Sequence, residues 1–317
     1  MSQSFGYGQI GVLMGGCSSE REISLRSGRG VSAALLEAGH QVTAMDIQSD
    51  DKHKIIGQVR AANIDVAFIA LHGSLGEDGA IQSILEEMDI PYTGGGVQAS
   101  QKAFNKVIAQ RIFKEHHLPV ADHVSITDGR MMDFKTAFAV LKRLPFVVKA
   151  ACQGSSIGIY LVRHPSQWES ALKDALAFGP CVLIEKFIKG RELTAGILDR
   201  EPLPLVEMCF KSPFFDYSSK YQKGLTDFVV PAKISGDLTQ KIQKIALGAY
   251  EALGVEGFAR IDIRLDETEN PYILEVNTVP GFTETSLFPK AAQQAGYSFT
   301  DVCTKLLDLA YGKKIQR

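Results

Sequence analysis

Two segments near the end of the chain carry polar side chains at spacings that suit metal and phosphate chemistry. Arg260 and Asp262 are two residues apart, and so are Glu275 and Asn277. Because side chains in a strand alternate between two faces, two neighbouring strands would present all four together. Carboxylate and amide oxygens are ligands that Mg²⁺ prefers, and an arginine beside them can stabilise charge on a phosphoryl or acyl oxygen. The alternative is a solvated sheet face with two cross-strand ion pairs.

A glycine- and serine-rich loop spans residues 153–158 and follows Lys149, which ends an apolar run. Glycines let backbone N–H groups approach a phosphate closely, serine hydroxyls add donors, and the lysine supplies a positive charge. The loop is not a Walker loop, because the pattern G-x-x-x-x-G-K-[ST] does not occur. These residues indicate phosphate binding, with a plain glycine hairpin as the alternative.

A further acid, Glu185, ends the next apolar run and is followed by Lys186. A carboxylate at a strand end can accept hydrogen bonds from an adenine amino group or from ribose hydroxyls. A surface Glu–Lys pair is the alternative interpretation of the same two residues.

In the first part of the chain, Glu20 and His72 each follow an apolar strand-like run. Side chains at these places point into the crevice at the carboxyl ends of the strands, where doubly wound sheets bind ligands. Glu20 could hold a substrate ammonium group, or it could simply pair favourably with a helix dipole. His72 is equally well explained as a hydrogen-bonded structural residue.

The surrounding pattern predicts the elements that position these residues. Strands at 10–14, 42–47 and 66–70 alternate with helices over 19–39 and 80–88, which predicts a parallel sheet covered on both faces. After residue 97 the pattern changes to helices and antiparallel strands. The helices are predicted over 103–115, 133–143 and 238–253, and the strands over 146–149, 159–162, 181–187, 193–197, 203–208, 257–265 and 272–276. Residues 211–231 show weak periodicity, as a functional or disordered loop would.

Composition excludes several classes of protein. The 317 residues carry 34 Lys+Arg against 36 Asp+Glu, so a net charge of −2 gives no footprint for nucleic acid or an anionic membrane. No apolar run is long enough to span a bilayer, and the start lacks the features of a signal peptide. The five scattered cysteines indicate reduced thiols in a cytoplasmic protein rather than a disulfide framework.

Taken together, the motifs resemble the D-alanine–D-alanine ligase family of ATP-grasp enzymes over nearly the whole chain. The matching segments, in order, are GGCSSEREISL (15–25), LHGSLGEDG (71–79), GSSIG (154–158), EK (185–186), DYSSKY (216–221), RID (260–262) and EVNTVPG (275–281). The resemblance implies an α/β and α+β architecture, an ATP-grasp fold with an N-terminal doubly wound parallel-sheet domain. It divides the chain into an N-terminal substrate domain (1–97), a central subdomain (98–187) and a C-terminal subdomain (188–317) with a mobile loop at 211–231.

The implied activity is ATP-dependent joining of two D-alanines through an acyl phosphate, for peptidoglycan precursor synthesis. The substrates are the small molecules ATP and D-alanine, and the cofactors are two Mg²⁺ (or Mn²⁺) ions. The resemblance also implies a cytoplasmic homodimer, and neither nucleic acid nor membrane is an expected partner.

The resemblance assigns roles to individual residues. The residues expected to hold the phosphates, adenine and ribose are Lys106, Lys149, Ser155, Ser156, Lys220, Glu185, Lys186, Ile188 and Glu192. The expected metal ligands are Asp262, Glu275 and Asn277, with Glu275 bridging.

The remaining expected roles concern the two D-alanines. Glu20 pairs with the ammonium of the first, near His72, while Arg260 and the Gly281 N–H stabilise the oxyanion. Ser286 binds the carboxylate of the second. Ser155 and Tyr221 form a hydrogen-bonded set with Glu20 that closes the loop over the site.

Two departures from the family pattern stand next to the phosphate residues. Asn105 precedes Lys106 where Asp is usual, and Cys152-Gln153 replaces a pair that commonly ends in Glu. Neither removes a ligand named above.

Two alternatives stay open: a related ligase that uses D-serine or D-lactate as acceptor, and a nucleotide-binding regulator without catalysis. Lys220-Tyr221 in the loop favours an amine acceptor.

Overall fold

The first unit of the fold is a parallel sheet, as the alternating pattern predicts. The computed structural model describes residues 6–155, 157–210 and 226–315. The sheet has strand order β2-β1-β3, with β1 (Gln9–Gly15), β2 (Gln41–Ile47) and β3 (Val66–Ile69). The helices that accompany it are α1 (Arg21–Glu37), α2 (Lys52–Ala62) and α3 (Ala80–Glu87). Glu20 directly precedes α1 and His72 lies just beyond β3, both at the carboxyl edge of this sheet.

A second, four-stranded antiparallel sheet carries Lys149 and Glu185. Its strand order is β4-β7-β5-β6, with β4 (His123–Ile126), β5 (Phe146–Ala150), β6 (Ile159–Val162) and β7 (Val182–Lys186). The helices of this region are α4 (Val97–Phe104), α5 (Lys106–Glu115), α6 (Phe134–Leu141) and α7 (Trp168–Leu176). The glycine- and serine-rich loop is the turn between β5 and β6.

A third sheet, also antiparallel, carries the remaining polar residues. Its strand order is β11-β10-β8-β12-β13, with short β9 (Glu201–Pro202) paired to β8. The other strands are β8 (Gly190–Leu198), β10 (Val206–Phe210), β11 (Thr226–Val229), β12 (Phe258–Asp266) and β13 (Pro271–Asn277). The helices are α8 (Gly236–Leu253), α9 (Leu287–Gln294) and α10 (Phe299–Ile315).

Phe282 lies at the centre of an aromatic cluster that joins the first sheet to the third. Its ring centroid is 5.7 Å from that of Phe68 in β3, 5.7 Å from that of Phe258 in β12 and 5.2 Å from that of Phe299 in α10. Burial of large aromatic rings contributes strongly to stability. This cluster therefore fixes the segment that follows β13 against the N-terminal sheet.

Several local predictions are wrong in detail. The helix predicted over 103–115 is two helices, because Asn105 adopts extended backbone and its side chain caps α5 by accepting from the N–H groups of Val107 and Ile108. Asp caps helices equally well, so this departure leaves the local fold intact. The strand predicted over 203–208 begins only at Val206, and β4 was not predicted.

The loop predicted over 211–231 is also wrong near its C-terminal end. Residues 226–229 form β11, which pairs with β10, so the prediction is wrong for these residues. Ser156, Lys220 and Tyr221 lie outside the described residues, as do 211–225. None of the helices that the structure describes is both long and apolar enough to cross a membrane.

Asp266 stabilises the turn that connects β12 to β13. Its carboxylate accepts hydrogen bonds from the Thr268 N–H (2.9 Å), the Thr268 hydroxyl (2.8 Å) and the Asn270 N–H (2.8 Å). The backbone hydrogen bond from Asn270 is the largest cause that lowers the Asp266 pKa, from 3.8 to about 2. The lowered pKa stabilises the folded protein above pH 3.8. This contribution is lost as the pH falls through the folded-state pKa of Asp266.

We therefore expect Asp266→Asn to lower the thermal unfolding temperature at neutral pH. The difference in unfolding temperature between the wild type and the variant should narrow as the pH falls below about 4. Thermal unfolding of both proteins across this range checks the expectation. Glu267→Gln in the same turn serves as the control. An Asp266→Asn difference that stays constant with pH would contradict the assignment.

Candidate active site

Four polar side chains of β12 and β13 lie together on one face of the third sheet. In the antiparallel register Arg260 is opposite Asn277, and Asp262 is opposite Glu275. The register shifts directly after Asp262, between Asp262 and Ile263. Strand alternation predicts this grouping, and the structure brings the four residues to one place.

The carboxylates of this group are already paired with cations. Arg260 donates to both oxygens of Asp262, at 2.7 and 2.8 Å, and the Asn277 amide donates to Asp262 Oδ2 at 3.3 Å. Asp262 is only 2% exposed, so this face is not the solvated surface that the alternative interpretation requires. An ion pair in such a setting is a buried, charge-assisted contact.

Lys106 is the first residue of α5. It links the group formed by Arg260, Asp262, Glu275 and Asn277, which we call the carboxylate face, to the glycine-rich loop. Its Nζ lies 3.0 Å from Glu275 Oε2 and donates to the Gln153 carbonyl oxygen at 2.7 Å. Burial is the largest single influence and works to lower the pKa of Lys106, but the charge of Glu275, its hydrogen bond to Lys106 and the charge of Glu77 together outweigh it, and the pKa is raised. Lys106 therefore stays positively charged at the base of the loop, where a phosphate would need a cation.

Lys149 and Glu185 form a second buried ion pair, between the neighbouring strands β5 and β7. Both residues are buried. The surface-pair interpretation of Glu185 is therefore wrong, because Glu185 is buried and forms an ion pair with Lys149. Lys186 instead lies 4.0 Å from Asp122 at a partly exposed position. A buried pair of this kind is costly to desolvate, so its position beside a cleft favours a functional role.

These residues line a cleft between the second and third sheets. Its polar residues are Lys106, Lys149, Gln153, Glu185, Glu192, Asp262, Arg264 and Glu275. Its other lining residues, mostly apolar, are Val147, Gly154, Ile159, Phe187, Ile188 and Leu274. An apolar slot with a few convergent charged groups is typical of a small-molecule site. Lys186 is not among the lining residues, unlike Ile188 and Glu192.

Arg264 is a cleft residue that the sequence argument missed. Its Nη1 lies 3.1 Å from Glu192 Oε2, and its guanidinium carbon lies 5.8 Å from the centroid of the Phe187 ring. The signal was available, since Arg264 continues the alternation of Arg260 and Asp262 along β12 and so shares their face. Glu192 is 5% exposed, and Arg264 supplies its counter-charge.

Glu20 reaches the glycine-rich loop from the N-terminal sheet. The Ser155 hydroxyl donates a hydrogen bond to Glu20 Oε1. A Cβ atom on Gly154 would lie 2.7 Å from Glu20 Oε2, and one on Gly73 would lie 2.9 Å from the same oxygen. The two glycines therefore leave room for the carboxylate. Gly73 and Gly154 are far apart in the sequence, and both lie beside Glu20 Oε2.

His72 is buried, and both ring nitrogens have hydrogen-bond partners. Nε2 lies 2.9 Å from the Ser27 hydroxyl, and Nδ1 lies 3.0 Å from the Val279 carbonyl oxygen. Glu77 Oε1 is 3.8 Å from Nδ1. Burial raises the pKa of Glu77; a hydrogen bond with His72 opposes the rise and the charge of Glu20 adds to it. His72 thus contacts the segment after β13.

Gly281 and Ser286 lie close together beyond β13. A Cβ atom on Gly281 would lie 3.3 Å from Ser286 Oγ. The Ser286 hydroxyl accepts from the Thr283 N–H at 3.1 Å and lies 2.8 Å from the Thr283 hydroxyl. Ser286 directly precedes α9, so it lies at the positive end of a helix, where a carboxylate is favoured.

The oxygen ligands of the carboxylate face fit a magnesium ion. Among the described residues, no group of three or more His, Cys, Asp and Glu side chains could hold a metal ion. The available donors are two neighbouring carboxylates, Asp262 and Glu275, and the Asn277 amide. Mg²⁺ commonly uses one or two carboxylates together with substrate phosphates, and Mn²⁺ accepts the same oxygen ligands. Such a donor set would hold an ion jointly with a phosphate ligand.

Comparison with known proteins gives consistent results over nearly the whole chain. Family models described as "D-ala D-ala ligase C-terminus" and "D-ala D-ala ligase N-terminus" match residues 112–308 and 53–95. The D-alanine–D-alanine ligase of Desulforudis audaxviator is 47% identical, covering 95% of this chain and 98% of that protein. The corresponding ligase of Carboxydothermus hydrogenoformans is 42% identical, covering 95% and 97%.

Solved structures show the same similarity. The crystal structure of D-alanine–D-alanine ligase from Bacillus anthracis complexed with ATP superimposes with a TM-score of 0.85 at 30% identity, covering 97% of this chain and 99% of that one. A second structure of the Bacillus anthracis ligase gives a TM-score of 0.87 at 32% identity. The expected ATP-grasp fold class is therefore confirmed.

Proposed function

The chain belongs to the D-alanine–D-alanine ligase family, and on that basis we propose that the cleft between its second and third sheets binds ATP beside the first D-alanine. The protein is an ATP-dependent ligase that joins two D-alanines, a reaction that supplies peptidoglycan synthesis. The observation that carries the placement is the convergence of Lys106, Lys149, Asp262 and Glu275 on one partly apolar cleft.

The polar and apolar residues of the cleft divide naturally between the parts of ATP. Phe187, Ile188 and Leu274 form the apolar slot for adenine, and Glu185 lies at its edge to accept from the amino group. Glu192 accepts from the ribose hydroxyls. Lys106, Lys149 and the backbone of the glycine-rich loop face the phosphates, with Ser155 as a further donor. Ser156, Lys186 and Lys220 complete the proposed set.

The family uses ATP with Mg²⁺, and we place the ions at Asp262, Glu275 and Asn277. Bound ions would neutralise the phosphate charge and align the transferred phosphoryl group. In this chain Arg260 and Lys106 hold the same carboxylates. Arg260 and Lys106 would also supply positive charge to the phosphoryl and acyl oxygens.

For the first D-alanine, we propose that Glu20 binds the ammonium group. The Ser155 hydrogen bond orients the carboxylate, and the glycines at 73 and 154 leave it accessible at the junction of the first and second sheets. The carboxylate of the first D-alanine then lies toward the phosphate end of the cleft. Phosphorylation gives that carboxylate a leaving group, and alignment by the enzyme supplies much of the rate enhancement.

The second D-alanine attacks the acyl phosphate through its amine. We place its carboxylate at Ser286, where the start of α9 adds a favourable dipole. Arg260 and the Gly281 N–H stabilise the oxyanion of the tetrahedral intermediate. The attack forms the C–N bond, and collapse of the intermediate restores the carbonyl and expels phosphate, leaving the dipeptide and ADP. Tyr221 would close the remaining side with Ser155 and Glu20.

The acceptor and the catalytic competence are tested by one assay. We expect ATP-dependent phosphate release with D-alanine alone and matching formation of dipeptide. Phosphate release with D-lactate or D-serine in preference to D-alanine would show a different acceptor. Absence of release with every acceptor in the presence of Mg²⁺ would indicate a nucleotide-binding regulator.

Three further features of the protein are proposed with this function. The three sheets support domains at 1–97, 98–187 and 188–317. A cytoplasmic location is supported by free cysteines that are scattered through the chain. A homodimer is proposed from family membership, and sedimentation of the purified protein tests it.

Arg264 supplies a prediction about nucleotide affinity. Arg264→Met should raise the KM for ATP about tenfold, because it removes a counter-charge and a hydrogen bond from the buried Glu192 carboxylate and so misplaces it for ribose. The KM for D-alanine should stay within about twofold. Initial rates over both substrates measure the effect. The control is Arg111→Met, which removes an exposed arginine 3.7 Å from Glu115; equal KM values in the two variants would contradict the assignment.

A further inference from the structure

Ser27 is a buried residue of α1 whose hydroxyl links the N-terminal sheet to the segment after β13. It is 0% exposed. The Phe282 N–H donates to its Oγ at 3.2 Å, and the same oxygen lies 2.9 Å from His72 Nε2. Three parts of the chain therefore meet at one hydroxyl: helix α1, His72 in the segment that follows β3, and Phe282.

The partners of His72 determine the direction of these hydrogen bonds. His72 Nδ1 lies 3.0 Å from the Val279 carbonyl oxygen, which can only accept, so Nδ1 carries the proton. In the neutral ring Nε2 is then an acceptor, and the Ser27 hydroxyl donates to it. The chain of donors runs from the Phe282 N–H to Ser27, and from Ser27 to His72. His72 in turn donates to Val279.

These contacts hold the peptide units on either side of the Gly281 N–H. The Val279 carbonyl belongs to the peptide before Pro280, and the Phe282 N–H belongs to the peptide after Gly281. The unit between them, Pro280–Gly281, carries the Gly281 N–H. Proline fixes one torsion of this segment, but glycine leaves its own torsions permissive. Hydrogen bonds on both sides restrict the remaining freedom.

The aromatic cluster alone does not fix this peptide. Phe282 is anchored by ring contacts to Phe68, Phe258 and Phe299. Ring packing is non-directional, so it places the side chain without setting the direction of the backbone N–H. The Ser27 and His72 hydrogen bonds are directional and act on the backbone itself.

We infer that Ser27 is a positioning residue for the ligase reaction, acting with His72 to aim the Gly281 N–H at the oxyanion. The inference rests on the proposed role of Gly281. It gives His72 a function through the backbone of residues 279–282. It also explains why a hydroxyl is buried on α1 at this point.

Four variants at three positions of α1 separate positioning from stability. Ser27→Ala removes the hydroxyl, and Ser27→Cys fills similar space with a weak donor and acceptor. Ser24→Ala is the matched comparison, because Ser24 is also buried and bridges the Gly15 N–H (2.8 Å) to the Ala70 carbonyl (2.7 Å) within the N-terminal sheet. Ser32→Ala is the neutral control, since within the described residues the buried Ser32 hydroxyl has no hydrogen-bond partner.

For Ser27→Ala and Ser27→Cys we expect kcat for dipeptide formation to fall about 10- to 100-fold, somewhat less than complete loss of an oxyanion donor. The KM for ATP should stay within about twofold, because the nucleotide cleft is separate. Ser24→Ala should lose about as much thermal stability as Ser27→Ala does. Its kcat should nevertheless be at least about fivefold higher than that of Ser27→Ala. Ser32→Ala should match the wild type in both measurements.

A double-mutant cycle with His72→Ala completes the test. The kcat losses of Ser27→Ala and His72→Ala should be non-additive, because both act on one hydrogen-bonded chain. A Ser27→Ala enzyme with wild-type kcat, or one whose kcat falls no further than that of Ser24→Ala, would overturn the inference. Failure of the wild type to form dipeptide would instead refute the proposed function.

Discussion

An Asp262→Asn enzyme should retain its fold and lose most of its ligase activity, with kcat about 10³-fold below the wild type. Asp262 is the most enclosed acid of the proposed metal site, and both of its oxygens accept from Arg260. Asparagine has nearly the same shape, so it preserves the packing between β8 and β13. It removes the charge that would hold Mg²⁺ and replaces the charge-assisted contact of Arg260 with a neutral one.

Rates measured over a Mg²⁺ titration distinguish loss of metal affinity from loss of alignment. We expect the Mg²⁺ requirement of Asp262→Asn to shift upward and the rate at saturation to stay low. Asp199→Asn is a suitable control, because Asp199 pairs with Lys305 at 3.0 Å on a partly exposed surface. Near-normal turnover of Asp262→Asn at saturating Mg²⁺ would show that this carboxylate is not a ligand.

The part of the site that the sequence predicts is the part that depends on strand alternation. Arg260 and Asp262, and likewise Glu275 and Asn277, share a face because residues two apart in a strand always do. The pairing of β12 with β13 follows from their closeness in the chain. The same reasoning predicts the parallel N-terminal sheet, in which each strand is followed by a helix.

What the sequence could not predict depends on contacts between distant segments. Ser27 contacts Phe282 across 255 positions, and His72 contacts Val279 across 207. No local pattern records such a partner, so His72 was equally consistent with a structural role and with a substrate contact. Glu185 was ambiguous for the same reason, because only the β5–β7 pairing shows that its cation is Lys149.

Local rules failed where one residue changes the backbone. Asn105 has extended dihedrals in the middle of an apolar helical pattern, and its capping hydrogen bonds divide the predicted helix in two. β11 was missed because its four residues, Thr226–Val229, follow a polar stretch and obtain their pairing from β10. In both cases tertiary context outweighs intrinsic propensity.

The buried pair of Lys149 and Glu185 gives the second large expected effect. Lys149→Met leaves a buried carboxylate without a counter-charge, and breaking such a pair costs about 3–5 kcal/mol of stability. It also removes a cation from the proposed phosphate site, so we expect kcat/KM for ATP to fall about 10- to 100-fold. Thermal unfolding and initial rates measure the two losses separately.

The double variant Lys149→Met/Glu185→Gln separates the two roles of the pair. Glutamine carries no charge, so the double variant should recover most of the lost unfolding temperature. It should not recover kcat/KM for ATP, because the phosphate still has no cation at this position. Joint recovery of stability and activity would mean that Lys149 acts only through the fold. If neither recovers, the carboxylate of Glu185 is not the group that Lys149 neutralises.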